Sequence, residues 1–210
     1  MNANKMIVMD LDGTLLNGEG NVTQKTKDYL NKLKKEGDII VIATGRILKR
    51  ALVATDEAEF ANYIVTDAGA AVYKKKDEKW EEIYEDLIPR KIVEDIISMF
   101  DCEKYRYINI CSKNQIDMLS TKYHSESMTT INYAQKEEII KNIKETIHIS
   151  VGFENNKLVE EYRKIFSKKY TELDITIMQD SFDNVQWIEI FTKGNRKYKG
   201  IYKIYGKNGS

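Results

Sequence analysis

The chain has 210 residues, 42% of them hydrophobic, 10% aromatic and 31% charged, which is enough apolar material for one large domain or two small ones. Lysine plus arginine equals aspartate plus glutamate at 33 each, so no basic excess points to nucleic acid or to an anionic membrane surface. No apolar run approaches the roughly 18 to 20 residues of a membrane span, and the two cysteines, Cys102 and Cys111, suit a reduced compartment.

The first apolar run, Met6–Met9, is four residues long and ends at Asp10. That is strand length and not the core of a signal peptide, so the expectation is a cytoplasmic protein. Residues 23–36 have helical character: Thr23 can cap, Leu30 and Leu33 share a face, and Gly37 can terminate. A second β-branched run, 38–43, ends in Thr44-Gly45-Arg46. A short helix follows, then a strand at Tyr63–Thr66. Strand, helix, strand at this spacing predicts parallel strands joined by right-handed crossovers. The carboxyl ends of such strands line the edge where α/β sheets bind ligands.

Asp10 and Thr44 end two strands that read as neighbours, so both belong on that edge. Asp10 and Asp12 are two apart and point the same way in extended backbone. Gly13 lets the chain turn sharply. Two carboxylates this close disfavour each other's ionisation unless a cation sits between them. Hard oxygen ligands open to water suit Mg²⁺.

The middle of the chain, roughly residues 75–184, alternates again and reads as an inserted α/β domain. Trp80–Ile88 suggests a strand, and Pro89, the only proline, stands at a helix start. Ile92, Val93, Ile96, Ile97 and Phe100 have helical spacing. Tyr105–Cys111 and Ile147–Phe153 read as strands. Leu158, Val159, Tyr162, Ile165 and Phe166 mark another helix, and Ile175–Met178 another strand. No repeat, low-complexity tract or flexible linker interrupts this order.

The run Asp-Leu-Asp-Gly-Thr-Leu-Leu at 10–16 resembles the first motif of the haloacid dehalogenase superfamily, and Thr44-Gly45-Arg46 its second. The likeness is to the Cof-type sugar-phosphate and cofactor phosphatases with a type IIB cap. Val65–Ala70 resembles the end of the third strand in that subfamily, with Ala68 where an asparagine is usual. Trp187–Phe191 and Lys199-Gly200-Ile201 resemble the third motif. The fold class implied is α/β: a Rossmann-like parallel core at 1–74 and 185–210, with a cap at 75–184 that closes over the site. The resemblance implies that Asp10 is a nucleophile and Asp12 the general acid/base. It implies that Thr44 binds a phosphoryl oxygen and that Lys199 offsets charge, with Lys197 the alternative among the six basic residues of 193–207. Gly45 and Arg46 would face the substrate, a small phosphorylated metabolite. Mg²⁺ would sit on Asp10 and on the backbone carbonyl of Asp12.

The remaining polar residues read as structural. His124 and His148 lack ligand spacing. Cys102 and Cys111 read as buried or idle thiols, and Asp180 and Asp183 as loop residues. The family's fourth motif, an apolar strand ending in Gly-Asp-x-x-Asn-Asp, has no counterpart, since no aspartate follows Asp183. The expectation is therefore a C-terminally incomplete core, with Met6–Met9 as an open edge that invites self-association. A catalytically silent phosphate-ligand or partner-binding module, and a phosphotransferase or mutase of the same superfamily, are the alternatives to a phosphatase.

Overall fold

The computed structural model of the chain describes residues 5–101, 103–120, 131–143, 145–180 and 184–208. Cys102, His124 and Asp183 lie outside the described residues. The chain divides into two compact units, Met1–Glu85 with Asn195–Ser210, and Asp86–Gly194.

The first unit opens with β1 (Met6–Met9), α1 (Gln24–Lys35), β2 (Ile39–Ala43), α2 (Leu48–Thr55) and β3 (Tyr63–Thr66). The α1 helix starts where expected: the Thr23 side chain accepts from the Thr26 N–H, and Gly37, at φ 99°, lets the chain turn after the last turn of helix. β1, β2 and β3 are parallel, with Met6 opposite Ile39 and Val41 opposite Tyr63. The central strand explains its composition: Ile40, Val41 and Ile42 are fully buried, as a strand covered on both faces requires. A hairpin, β4 (Ala71–Lys76) and β5 (Lys79–Glu85), extends the sheet antiparallel, giving the order β1-β2-β3-β4-β5. Among the described strands β1 is an edge, and Val8 on it is 40% exposed.

The second unit runs α3 (Arg90–Ser98), β6 (Tyr105–Cys111), β7 (Ile116–Leu119), β8 (Ile131–Tyr133), α4 (Lys136–Asn142), β9 (His148–Phe153), α5 (Asn156–Lys169), β10 (Leu173–Gln179) and β11 (Gln186–Thr192). Its strands form one sheet in the order β10-β11-β9-β6-β7-β8, antiparallel except for β7 and β8. Val93, Ile96 and Ile97 of α3, Ile139 of α4, and Val159 and Phe166 of α5 share one core with Ile108, Ile149, Val151 and Ile188 of the sheet. Tyr105, Phe153, Tyr162 and Phe166 meet within it at ring-centroid distances of 4.9 to 5.8 Å. The chain then returns to the first unit as α6 (Lys197–Asn208).

The division differs from the expected one, which placed the boundaries at 74/75 and 184/185. Trp80, expected in the insert, lies in β5, and β5 pairs with β4 of the first sheet. Trp187–Phe191, expected in the core, lies in β11, held antiparallel between β10 and β9 of the second sheet. Alternation along a segment predicts that it is a strand but not which strand it will pair with.

Candidate active site

Asp10 and Thr44 each follow the last residue of a parallel strand, β1 and β2, so both stand at the carboxyl edge of the first sheet. After Asp10 the chain closes a tight loop. Leu15 N–H donates to the Asp10 carbonyl (3.2 Å), Leu16 N–H donates to the Leu11 carbonyl (3.0 Å), and Leu11 is fully buried beneath the loop. Gly13 takes φ 71°, the left-handed conformation that glycine adopts without strain. The loop thus holds two carboxylates on a fixed backbone.

Each carboxylate has its own cation. The Lys197 ammonium donates to Asp10 Oδ2 at 2.6 Å, while Asp10 Oδ1 accepts from the Leu11 N–H at 2.8 Å. The Arg46 guanidinium forks onto Asp12, with Nη2 to Oδ1 at 2.6 Å and Nε to Oδ2 at 3.1 Å. Opposite charge at this distance answers the repulsion that two neighbouring carboxylates would otherwise feel.

The second motif is fixed mainly through its backbone. Thr44, fully buried, continues the ladder by donating its N–H to the Val65 carbonyl, and its hydroxyl oxygen accepts from the Arg46 N–H at 3.1 Å. The turn after β3 returns two bonds: Ala68 N–H donates to the Thr44 carbonyl and Asp67 N–H to the Arg46 carbonyl. Ala68, in place of the family's usual asparagine, contributes here through its main chain. Gly45 has open space around the position a Cβ would take. Asp67, fully buried at the same turn, is an acid to which the sequence pattern assigned no role.

The start of α6 packs directly on that turn. A Cβ on Gly69 would run into the backbone of Arg196, and one on Gly200 would strike the Val65 side chain. This close approach brings Lys197 to Asp10. Lys199 sits two residues further along the helix, with its ammonium 5.9 Å from the centre of the Tyr84 ring. So Asp10 and Lys197 are joined, Asp12 and Arg46 are joined, Thr44 lies beside Arg46, and Lys199 contacts Tyr84 of β5.

The donors present fit a water-rich magnesium site. Among the described residues each Asp10 oxygen accepts a single hydrogen bond, which leaves lone pairs for a cation. Mg²⁺ characteristically takes one or two carboxylates and keeps several waters. Among the described residues no three His, Cys, Asp or Glu side chains converge as an all-protein cage.

The other expected residues lie elsewhere. His148, in the second sheet, stacks on Phe191 at 5.1 Å and has its Nε2 3.6 Å from Glu189 Oε2. Cys111 is buried. A cleft of about 490 Å³ in the second unit is lined by Asp117, Asn132, Glu138, Asn142 and Glu145 among others, and by none of the expected site residues. No helix among the described residues is long and apolar enough to cross a membrane.

The haloacid dehalogenase-like hydrolase family matches residues 7–208. Among curated proteins, the chain is similar to the 5-amino-6-(5-phospho-D-ribitylamino)uracil phosphatase YitU of Bacillus subtilis, at 26% identity over 95% of this chain and 73% of that protein. A second Bacillus subtilis phosphatase of the same description, YcsE, is 24% identical over 98% of this chain and 72% of its own length. Among solved structures, a sugar phosphatase of HAD subclass IIB superposes with a TM-score of 0.71 at 21% identity, covering 99% of this chain and 77% of that one. TM0651 from Thermotoga maritima superposes with a TM-score of 0.73 at 20% identity, covering 98% and 76%. These likenesses are of fold: a Rossmann-like α/β core with a cap.

Proposed function

The chain belongs to the haloacid dehalogenase-like hydrolases, and from that premise we propose that it is a magnesium-dependent phosphatase of a small phosphorylated metabolite, working through an aspartyl-phosphate. The observation that carries this reading is the ion pair of Asp10 with Lys197 at the carboxyl edge of a parallel sheet, two residues from a second carboxylate. The two curated relatives named above, both phosphatases of a phosphorylated ribityl compound, support a phosphorylated polyol chain as the substrate class.

In this reading an Asp10 carboxylate oxygen attacks phosphorus. The bond to the ester oxygen breaks, and that oxygen takes its proton from the Asp12 carboxyl. Asp12, now ionised, removes a proton from water. The water oxygen attacks the aspartyl-phosphate, releasing phosphate and restoring Asp10. Thr44 donates to a phosphoryl oxygen. The lysine role is assigned to Lys197 in place of Lys199, because the Lys197 ammonium reaches the Asp10 carboxylate. The Asp10 carboxylate and the Asp12 backbone carbonyl would hold Mg²⁺, which supplies further positive charge against the phosphoryl oxygens when bound. Such catalysis rests mainly on positioning and charge, and the pinned backbones of 10–16 and 44–46 support both.

The test is hydrolysis of p-nitrophenyl phosphate by the purified chain, with Mg²⁺ and with EDTA, beside Asp10→Asn. Turnover that needs both the metal and Asp10 is expected. Turnover that survives Asp10→Asn removes Asp10 as nucleophile.

A further inference from the structure

We propose that Arg46 is a positioning residue that aims the Asp12 carboxyl, and not a ligand of the substrate. The inference rests on the reading of Asp12 as general acid/base. Asp12 is 59% exposed, and among the described residues its carboxylate accepts only from Arg46. A carboxylate on an open loop rotates freely about two side-chain torsions. A general base, ionised as the fork holds it, must instead be kept within hydrogen-bond reach of the one water it deprotonates.

The Arg46 fork removes that freedom. Its two parallel N–H groups set both the position and the plane of the carboxylate, which a single ammonium cannot do. The fork itself is anchored. Arg46 N–H donates to the Thr44 hydroxyl at 3.1 Å, and the Arg46 carbonyl accepts from the N–H of fully buried Asp67 at 3.0 Å. The Asp12 loop is closed by its own two backbone bonds and the turn at Gly13. Two rigid backbone segments, 34 residues apart in sequence, therefore meet through one guanidinium.

An exposed ion pair adds little stability. The value of this pair lies in orientation and not in holding the fold. The Nε–Nη2 edge of the guanidinium is also spent on Asp12, and that is the edge a phosphoryl group would otherwise use for a forked contact.

The experiment is a double-mutant cycle on the full chain. It uses Arg46→Ala, Asp12→Asn and the pair, read as kcat and KM on p-nitrophenyl phosphate together with the affinity for inorganic phosphate. Arg46→Ala is expected to lower kcat about tenfold or more with KM little changed, and to add less than about twofold once Asp12 is already Asn. Arg46→Lys should restore little, because it lacks the fork, while added guanidinium should partly rescue Arg46→Ala. Phosphate affinity, which can be measured whether or not the chain turns over, should stay within about twofold of wild type in Arg46→Ala. Losses that multiply in the double variant, a rise in KM at unchanged kcat, or phosphate binding weakened about tenfold would overturn the inference and make Arg46 a substrate ligand. Wild-type turnover in Asp12→Asn is a separate result: it removes the acid/base reading itself, and the inference with it.

Discussion

The two units use the same alternation of strands and helices to different ends. In the first, parallel strands carry their charged residues at one edge, and those charges meet across long sequence distances: Asp10 with Lys197, Asp12 with Arg46. In the second, an antiparallel sheet lies against α3, α4 and α5, and its defining feature is a buried core with Tyr105, Phe153, Tyr162 and Phe166 at the centre. The described charge pairs of the first unit join distant parts of its chain, whereas the second unit is distinguished by its packing. A fold built from parallel strands delivers chain ends to one place, whereas the antiparallel sheet delivers mainly surface.

The sharpest way to break this comparison is at the nucleophile. Asp10→Asn is expected to abolish turnover while circular dichroism and thermal unfolding stay close to wild type; retained turnover would mean that the edge of the first sheet is not the reacting centre. Next in size are the two lysines. Lys197→Ala should reduce kcat about 10²-fold or more, the scale of losing one charge-stabilising donor. Lys199→Ala, which loses a contact with Tyr84, should stay within about threefold of wild type. Equal effects would leave no reason to prefer Lys197.

A purely structural change in the second unit should behave differently. Phe166→Ala, at a fully buried core position, should lower stability by about 3 to 5 kcal/mol in denaturant unfolding. A loss below about 1 kcal/mol would contradict the packing described for that core. The close approach of α6 to the turn after β3 gives a mixed case. Gly69 has φ 109° and no room for a Cβ, so Gly69→Ala should cost about 1 to 3 kcal/mol and also slow turnover by displacing Lys197. Stability lost with full activity would separate the helix contact from the site.

The smallest effect concerns pH. Hydrogen bonds from Lys169 and then Tyr170 hold the Asp95 carboxyl below the usual carboxylate range. A depressed folded-state value stabilises the fold above the unfolded value of about 3.9, and that contribution fades as pH falls toward the folded one. Asp95 is 43% exposed, so screening keeps its share under about 1 kcal/mol. Asp95→Asn should therefore lower stability slightly at neutral pH and make its decline below about pH 4 shallower. An unchanged acid limb would remove this pair from the account.

Much of the first unit was legible because its chemistry is local. Asp10, Asp12 and Gly13 lie in one short run, Thr44 and Arg46 in another, and each run directly follows an apolar strand. What could not be read was pairing over distance. Nothing in the sequence marks Arg46 as the partner of Asp12. The choice of Lys197 over Lys199 depends on where α6 begins and on the bare Cα of Gly69 and Gly200, among six basic residues with similar neighbours. The strands of Trp80 and Trp187 were recognisable, but each joined the other sheet from the one expected, because alternation encodes a face and not a partner. The short elements β7, β8 and α4 carry too few residues for periodicity to reveal them.

The central claim is that Asp10 receives the phosphoryl group. Its most direct test is mass spectrometry of Asp12→Asn, in which breakdown of the intermediate should be slow, quenched in acid after mixing with a phosphate monoester and Mg²⁺. The account predicts one added phosphoryl group, located on the peptide that contains Asp10 and lost on treatment with hydroxylamine. Substrate consumed with no such adduct, or an adduct on any other residue, would contradict it.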